Sequence, residues 1–144
     1  MFSVVSSNDE PQHLETLHKW ILAEWGEIDQ FADVNTGIII PAPLIALYSS
    51  HLLGGLAFTS YPIPEDASLG LWINALIVAP EHRNKGIGSQ LIKSAEIEAK
   101  KINAKELYAY TSIPTLYKIL GWEEINNDGK NSTFRKSLSA LNHT

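Results

Sequence analysis

The chain reads as an α/β or α+β protein built on a central mixed sheet. Three observations predict this. Short β-rich runs alternate with amphipathic helical segments along the whole chain. The longest apolar run, Leu71-Trp72-Ile73-Asn74-Ala75-Leu76-Ile77-Val78-Ala79, is continuous rather than alternating, as expected of a strand covered on both faces. A glycine-rich turn then opens the best helix of the sequence. At 144 residues and 15.9 kDa the expectation is one domain, 1–144, with one sizeable core.

Each element can be justified in order. Phe2–Ser6 is short and β-rich, and Asn8-Asp9-Glu10-Pro11 reads as a turn into a helix start. Leu14, Leu17, Trp20 (or Ile21) and Trp25 recur at helical spacing, which predicts a helix over 11–25 ended by Gly26. Residues 27–37 fit either a second short helix or a loop. Leu44–Ser49 and Leu53–Ser60 form a hairpin candidate around Ser50-His51, followed by a loop over residues 61–66. Pro80 ends the long apolar strand. The helix opened by Gly86-Ile87-Gly88 lines Ile87, Leu91, Ala95, Ala99 and Ile102 on one face and stops near Asn103. Leu107–Thr111 is a strand. Pro114 starts a short helix, Thr115–Leu120, capped by Gly121. Trp122–Ile125 and Thr133–Leu138 are strands around the turn at 126–130, and fraying is expected from Ser139.

Composition excludes several classes. The hydrophobic fraction of 44% and charged fraction of 19% are those of an ordinary globular protein. Cysteine is absent, which removes disulfides, thiolate metal sites and a cysteine nucleophile. No apolar run has the length of a membrane span, and Met1-Phe2-Ser3-Val4-Val5 has no basic segment ahead of an apolar stretch. The expectation is a cytoplasmic protein without membrane contact. His13, His18, His51 and His143 lack metal-ligand spacing with a second ligand, so no metal is expected. The net charge of −5 argues against nucleic acid as a partner.

That charge is unevenly placed. Residues 1–82 hold ten acids and one base, a balance of −9. Residues 83–118 hold seven bases and three acids, a balance of +4, and the remainder is neutral. A basic middle suits an anionic ligand and an acidic first half a cationic one, although both also fit solvated faces.

The segment that carries chemistry is Arg83-Asn84-Lys85-Gly86-Ile87-Gly88. Its glycines let the backbone approach a ligand closely. The first amides of the following helix lack acceptors within it, and the helix dipole adds positive potential. Such a turn is an anion site with phosphate as the usual guest, or else simply a tight strand-to-helix turn. The nucleotide patterns G-x-x-x-x-G-K-[ST] and G-x-G-x-x-G are both unmet.

The run from Leu76 to Leu91 resembles motif A of the GCN5-related N-acetyltransferases (GNAT), V-x-P-x-x-[RQ]-x-x-G-x-[GA]-x-x-L. Val78, Pro80, Arg83, Gly86, Gly88 and Leu91 fall in place. Leu116-Tyr117-Lys118-Ile119-Leu120-Gly121-Trp122 resembles motif B, Y-x-x-x-G-[FW]. The resemblance covers residues 71–125 well, and the first 60 residues only in their order of elements. It implies a GNAT-like mixed sheet of about six to seven strands flanked by helices, with acetyl-coenzyme A bound between two splayed parallel strands. The amides of Arg83, Asn84, Lys85, Gly86, Ile87, Gly88 and Ser89 would then hold the pyrophosphate. Leu76, Ile77 and Val78 would lie along the pantetheine. Homodimers are common in proteins of this resemblance.

The implied reaction is transfer of an acetyl group to a primary amine by direct attack, with a small-molecule acceptor favoured. A protein or peptide acceptor and a non-catalytic acyl-coenzyme A module are the alternatives. Direct attack needs no covalent enzyme intermediate, which is compatible with the missing cysteine. The thioester oxygen needs fixed donors, here a strand amide near Leu76. Tyr117 is the candidate acid for the departing thiolate, a phenol of ordinary pKa about 10. Many relatives carry Glu where Asn74 stands, and Asn74 holds a water or orients the amine instead of acting as base. Glu24, Glu27 and Asp66 remain candidates for the base through water. His82 is expected to be exposed and uninvolved. Trp20, Trp25, Tyr61 and Trp72 are candidates to line the acceptor cleft, and the acidic first half hints at a cationic amine such as a polyamine, an aminoglycoside-like compound or a peptide amine.

Overall fold

The computed structural model describes residues 2–25 and 39–138. The expectations for 27–37, for Gly26 and Glu27, and for the chain from Ser139 onward lie outside the described residues. Within them the order is β1 (Ser3–Ser6), α1 (Leu14–Trp25), β2 (Leu44–Tyr48), β3 (His51–Pro62), β4 (Leu69–Val78), α2 (Ile87–Lys101), β5 (Glu106–Thr111), α3 (Pro114–Ile119), β6 (Glu123–Asn127) and β7 (Ser132–Ser137), with short 3-10 turns at Pro11–His13 and Pro80–His82. The seven strands form one sheet in the order β1-β2-β3-β4-β5-β7-β6. All neighbours are antiparallel except β4 and β5. This is the mixed sheet that alternation and the long apolar run predict.

The two long helices cover opposite faces of the sheet. Leu17 and Ile21 of α1 are fully buried and cluster with Ile45, Ala57, Ala75 and Ile77. Ile87, Leu91, Ile92, Ala95 and Ala99 of α2 pack into the other cluster, with Leu56, Phe58, Ile73, Leu107 and Phe134. Burying a Leu or Ile stabilises by about 1.5–3 kcal/mol relative to exposure, so each stripe is enough to hold its helix down. The approach of α1 is close. A Cβ on Gly55 of β3 would stand 2.4 Å from a Leu17 methyl, so only glycine lets the helix sit where it does.

Local corrections to the sequence reading are small and physical. The β2–β3 turn is Ser49-Ser50, one residue earlier than expected, with φ of 48° and 72°. Two consecutive positive φ values make a tight turn whose twist matches the strands it joins, and His51 belongs to β3. The stripe of α2 also includes Ile92, beside Leu91, which a strict i, i+4 reading omits.

The feature that shapes the site is in β4. Ala75 pairs with Ala57 and Ile73 with Phe58, which leaves Asn74 with no partner on β3. Asn74 is therefore the extra residue of a β-bulge. One extra residue reverses which side chains face which side. Before it, Leu71 and Ile73 join the α2-side core; after it, Leu76 and Val78 pack on that side, while Ala75 and Ile77 turn to α1. Strands β4 and β5 pair only at Trp72↔Tyr108 and Ile73↔Ala109 and then separate.

Candidate active site

Beyond that last pair, the carboxyl ends of β4 and β5 diverge into a cleft of ≈ 830 Å³. In open α/β sheets the crevice outside the strand carboxyl ends is where ligands bind. The cleft is lined from both faces of the sheet. On the α2 side stand the Gly86–Ser89 turn, Leu116 and Tyr117; on the α1 side stand Glu24 and Trp25.

The α2-side mouth follows from the turn after β4. Pro80–His82 makes a single 3-10 turn. The Arg83 Nε donates to the Val78 carbonyl at 2.9 Å and pins the segment to the end of β4. Asn84 and Gly86 take φ of 63° and 83°, and Gly86 is the left-handed residue from which α2 departs. The first helical bond runs from the Gln90 amide to the Gly86 carbonyl at 3.1 Å. The amides of Ile87, Gly88 and Ser89 thus have no acceptor within the helix. A Cβ on Gly86 would have nothing within 4 Å, so open space lies over these donors. A Cβ on Gly88 would stand 3.4 Å from a Leu116 methyl, at the wall of the cleft. Free amides, a helix N-terminus and a neighbouring apolar wall of Leu76 and Val78 fit a diphosphate carrying an extended, partly apolar arm.

Deeper in, Asn74, Leu76 and Val78 are half-buried along the wall formed by β4. Tyr117, on α3, is 2% exposed. Its ring packs edge-on against Trp122 and stacks on Phe134, with centroids 5.0 and 5.5 Å away. Burial raises its pKa well above the ordinary phenol value. Tyr117 also lines the cleft, so a rigidly held, protonated phenol borders the space between the strands.

Of the expected catalytic and cofactor-binding residues, Asn74, Leu76, Ile77, Val78, Arg83, Asn84, Gly86, Ile87, Gly88, Ser89 and Tyr117 line the cleft, and Lys85 does not. Glu24 and Trp25 line it too, whereas Trp20, Tyr61, Trp72 and Asp66 do not. Trp72 is buried, stacked on Tyr108, and its indole N–H donates to the Tyr61 carbonyl at 3.0 Å. Asp66 is occupied in its own loop, where hydrogen bonds from the Ser68 hydroxyl and amide hold its carboxyl below the usual range. His82 differs from expectation: it is half-buried and lines the cleft, because the 3-10 turn places it beside β4.

Sequence reasoning missed the wall contributed by β5 and the β6–β7 turn. Tyr110, Thr111, Ser112, Ile113 and Asn131 line the cleft. The Tyr110 hydroxyl hydrogen-bonds the Asp128 carboxylate, which also accepts the amides of Lys130 and Asn131 at 2.9 and 2.8 Å. These bonds, the Tyr110 one foremost, hold the Asp128 pKa down to about 2. Among the described residues, no group of three His, Asp or Glu is placed to hold a metal ion, and no helix is long and apolar enough to cross a membrane.

The family model for GNAT acetyltransferases matches residues 8–122. The chain belongs to the GNAT acetyltransferase family. As a GNAT protein it is an acyltransferase. Solved structures share the fold. A GNAT acetyltransferase from Staphylococcus aureus Mu50 superposes with a TM-score of 0.68 at 17% identity, over 96% of this chain and 99% of that one. The PaiA N-acetyltransferase of Thermoplasma acidophilum, solved with coenzyme A, gives 0.62 at 20% identity, over 95% and 99%. Arabidopsis thaliana Naa50, solved with the bisubstrate analogue CoA-Ac-MVNAL, gives 0.64 at 21% identity, over 94% and 98%. No curated protein matches the chain in sequence.

Proposed function

We propose that this protein is an acetyl-coenzyme A-dependent N-acetyltransferase that acts on a small primary amine by direct transfer. The observation that carries the reading is the cleft that passes between β4 and β5 and is walled from both faces of the sheet. Two substrates can enter it from opposite sides and meet inside. Coenzyme A is present in the PaiA structure, and a coenzyme A conjugate in the Naa50 structure, which supports the cosubstrate.

Bound acetyl-coenzyme A would supply an acyl thioester already activated for attack by an amine. The amides of Ile87, Gly88 and Ser89 would hold its diphosphate against the positive end of α2. Leu76 and Val78 would flank the pantetheine. The backbone amide near Leu76 would steady the negative charge that builds on the thioester oxygen. Tyr117, kept protonated by burial, would pass its hydroxyl proton to the departing thiolate sulfur. Asn74 is neutral and would orient the amine by hydrogen bonding rather than remove its proton. Glu24 is the only carboxylate lining the cleft among the described residues, which makes it the group to receive that proton, directly or through water.

The test is thiol release from acetyl-coenzyme A across a panel of primary amines, with Tyr117→Phe beside the unaltered protein. The expected result is amine-dependent release that falls by about 10²-fold in the variant, with the acetyl-coenzyme A Kd unchanged. Equal rates for both proteins would remove Tyr117 from the reaction.

A further inference from the structure

We infer that the acceptor is a primary amine carrying an aromatic or bulky apolar body, held at the α1-side mouth by Trp25 and Tyr110 with its ammonium toward Glu24. The inference rests on the acetyl-transfer reading above and names the acceptor class.

Tyr110 can be placed by alternation. Leu107 and Ala109 of β5 point into the α2-side core, so Tyr108 and Tyr110 point to the α1 side. The last turn of α1 stands on that same side. Trp25 is 46% exposed and Tyr110 52% exposed, and both line the cleft. Aromatic side chains are large apolar groups, and two left half in water on one opening mark a binding surface more than a packing remainder. The Tyr110 hydroxyl is already committed to Asp128, so what it offers a ligand is its ring.

The charges agree. Glu24 lines this mouth and Asp128 stands behind Tyr110, ionised at any physiological pH. Among the described residues the Lys or Arg lining the cleft is Arg83, which belongs to the opposite mouth. An ammonium is therefore drawn to the α1 side, where a carboxylate and an indole face can both receive it. A polyamine or an amino sugar calls for several carboxylates or hydrogen-bonding groups along its length. Among the described residues this mouth has one lining carboxylate and two exposed rings, which suits one charge on an apolar body.

The experiment is calorimetric titration of the whole protein, first with coenzyme A and then, in the saturated complex, with 2-phenylethylamine, 2-phenylethanol or spermidine. The expected result is that 2-phenylethylamine binds at least about tenfold tighter than the other two. Trp25→Ala should weaken it by about fivefold or more. Glu24→Gln should weaken the amine and leave the alcohol unchanged. Tyr110→Phe keeps the ring without the Asp128 bond and should retain the affinity that Tyr110→Ala loses. Coenzyme A binding with spermidine equal to or tighter than 2-phenylethylamine overturns the acceptor class alone, as does indifference to Trp25→Ala. Failure of coenzyme A to bind the unaltered protein removes the acetyl-transfer reading beneath it.

Discussion

In the proposed reaction Tyr117 and Asn74 divide the chemistry of the cleft between them. Tyr117 is buried among Trp122 and Phe134, and burial favours its neutral form. A group whose folded pKa lies above its unfolded value contributes stability that is complete below the unfolded pKa, about 10 for a phenol, and is lost as pH rises beyond it. The protein should therefore lose stability above pH ~10, and Tyr117→Phe should lose less than the unaltered chain. Denaturant melts at pH 8 and pH 11 check this; parallel losses in the two proteins would contradict it. Asn74 offers hydrogen bonds and no titration. Asn74→Ala should lower kcat/KM for the amine by up to about tenfold, the worth of one hydrogen bond, with the acetyl-coenzyme A Kd unmoved. At this scale the sequence was informative where residues act in one contiguous run. The stretch from Leu76 to Ser89 folds as a strand end, a turn and a helix start, so its local pattern and its geometry coincide. The exposure expected of His82 does not hold because it depends on the 3-10 turn of Pro80–His82, which spacing alone does not reveal.

At the scale of elements, the bulge at Asn74 and the parting of β4 from β5 create the site. Without the extra residue, the side chains that follow it would face the wrong core, and Ala75 and Ile77 would no longer meet α1. An uninterrupted apolar run hides such a bulge, because either face would accept its residues. That is why the strand was legible in the sequence and its change of phase was not. The docking of α1 carries Glu24 and Trp25 to the cleft and depends on the gap at Gly55. Gly55→Val should push α1 outward, at a cost of about 1–3 kcal/mol. The 2-phenylethylamine affinity should fall while coenzyme A binding on the other face stays close to normal. Calorimetry with both ligands separates the two effects, and equal weakening of both would contradict the division of the cleft.

Across the whole molecule, the acidic first half brings Glu24 to the cleft and the basic stretch from Arg83 to Lys118 brings Arg83. The α2-side mouth is built from the basic stretch, whereas α1 brings a carboxylate to the other. The first belongs to one continuous segment and could be read in order. The second joins residues 24–25 to 110 and 131, which no local pattern connects. If the α2-side mouth holds the diphosphate as proposed, its electrostatic attraction is screened by salt, so the affinity for acetyl-coenzyme A should fall severalfold between low and high ionic strength. The central claim is that the Gly86 turn holds that cosubstrate, and one measurement tests it most directly. Acetyl-coenzyme A is titrated calorimetrically into the unaltered protein, into Gly86→Glu, and into Gly86→Asn, which tolerates the left-handed backbone without adding charge. The account predicts binding by the unaltered protein, retention in Gly86→Asn, and loss in Gly86→Glu with the fold intact by thermal melting. An unaltered protein that does not bind, or a Gly86→Glu variant that binds as well, would contradict it.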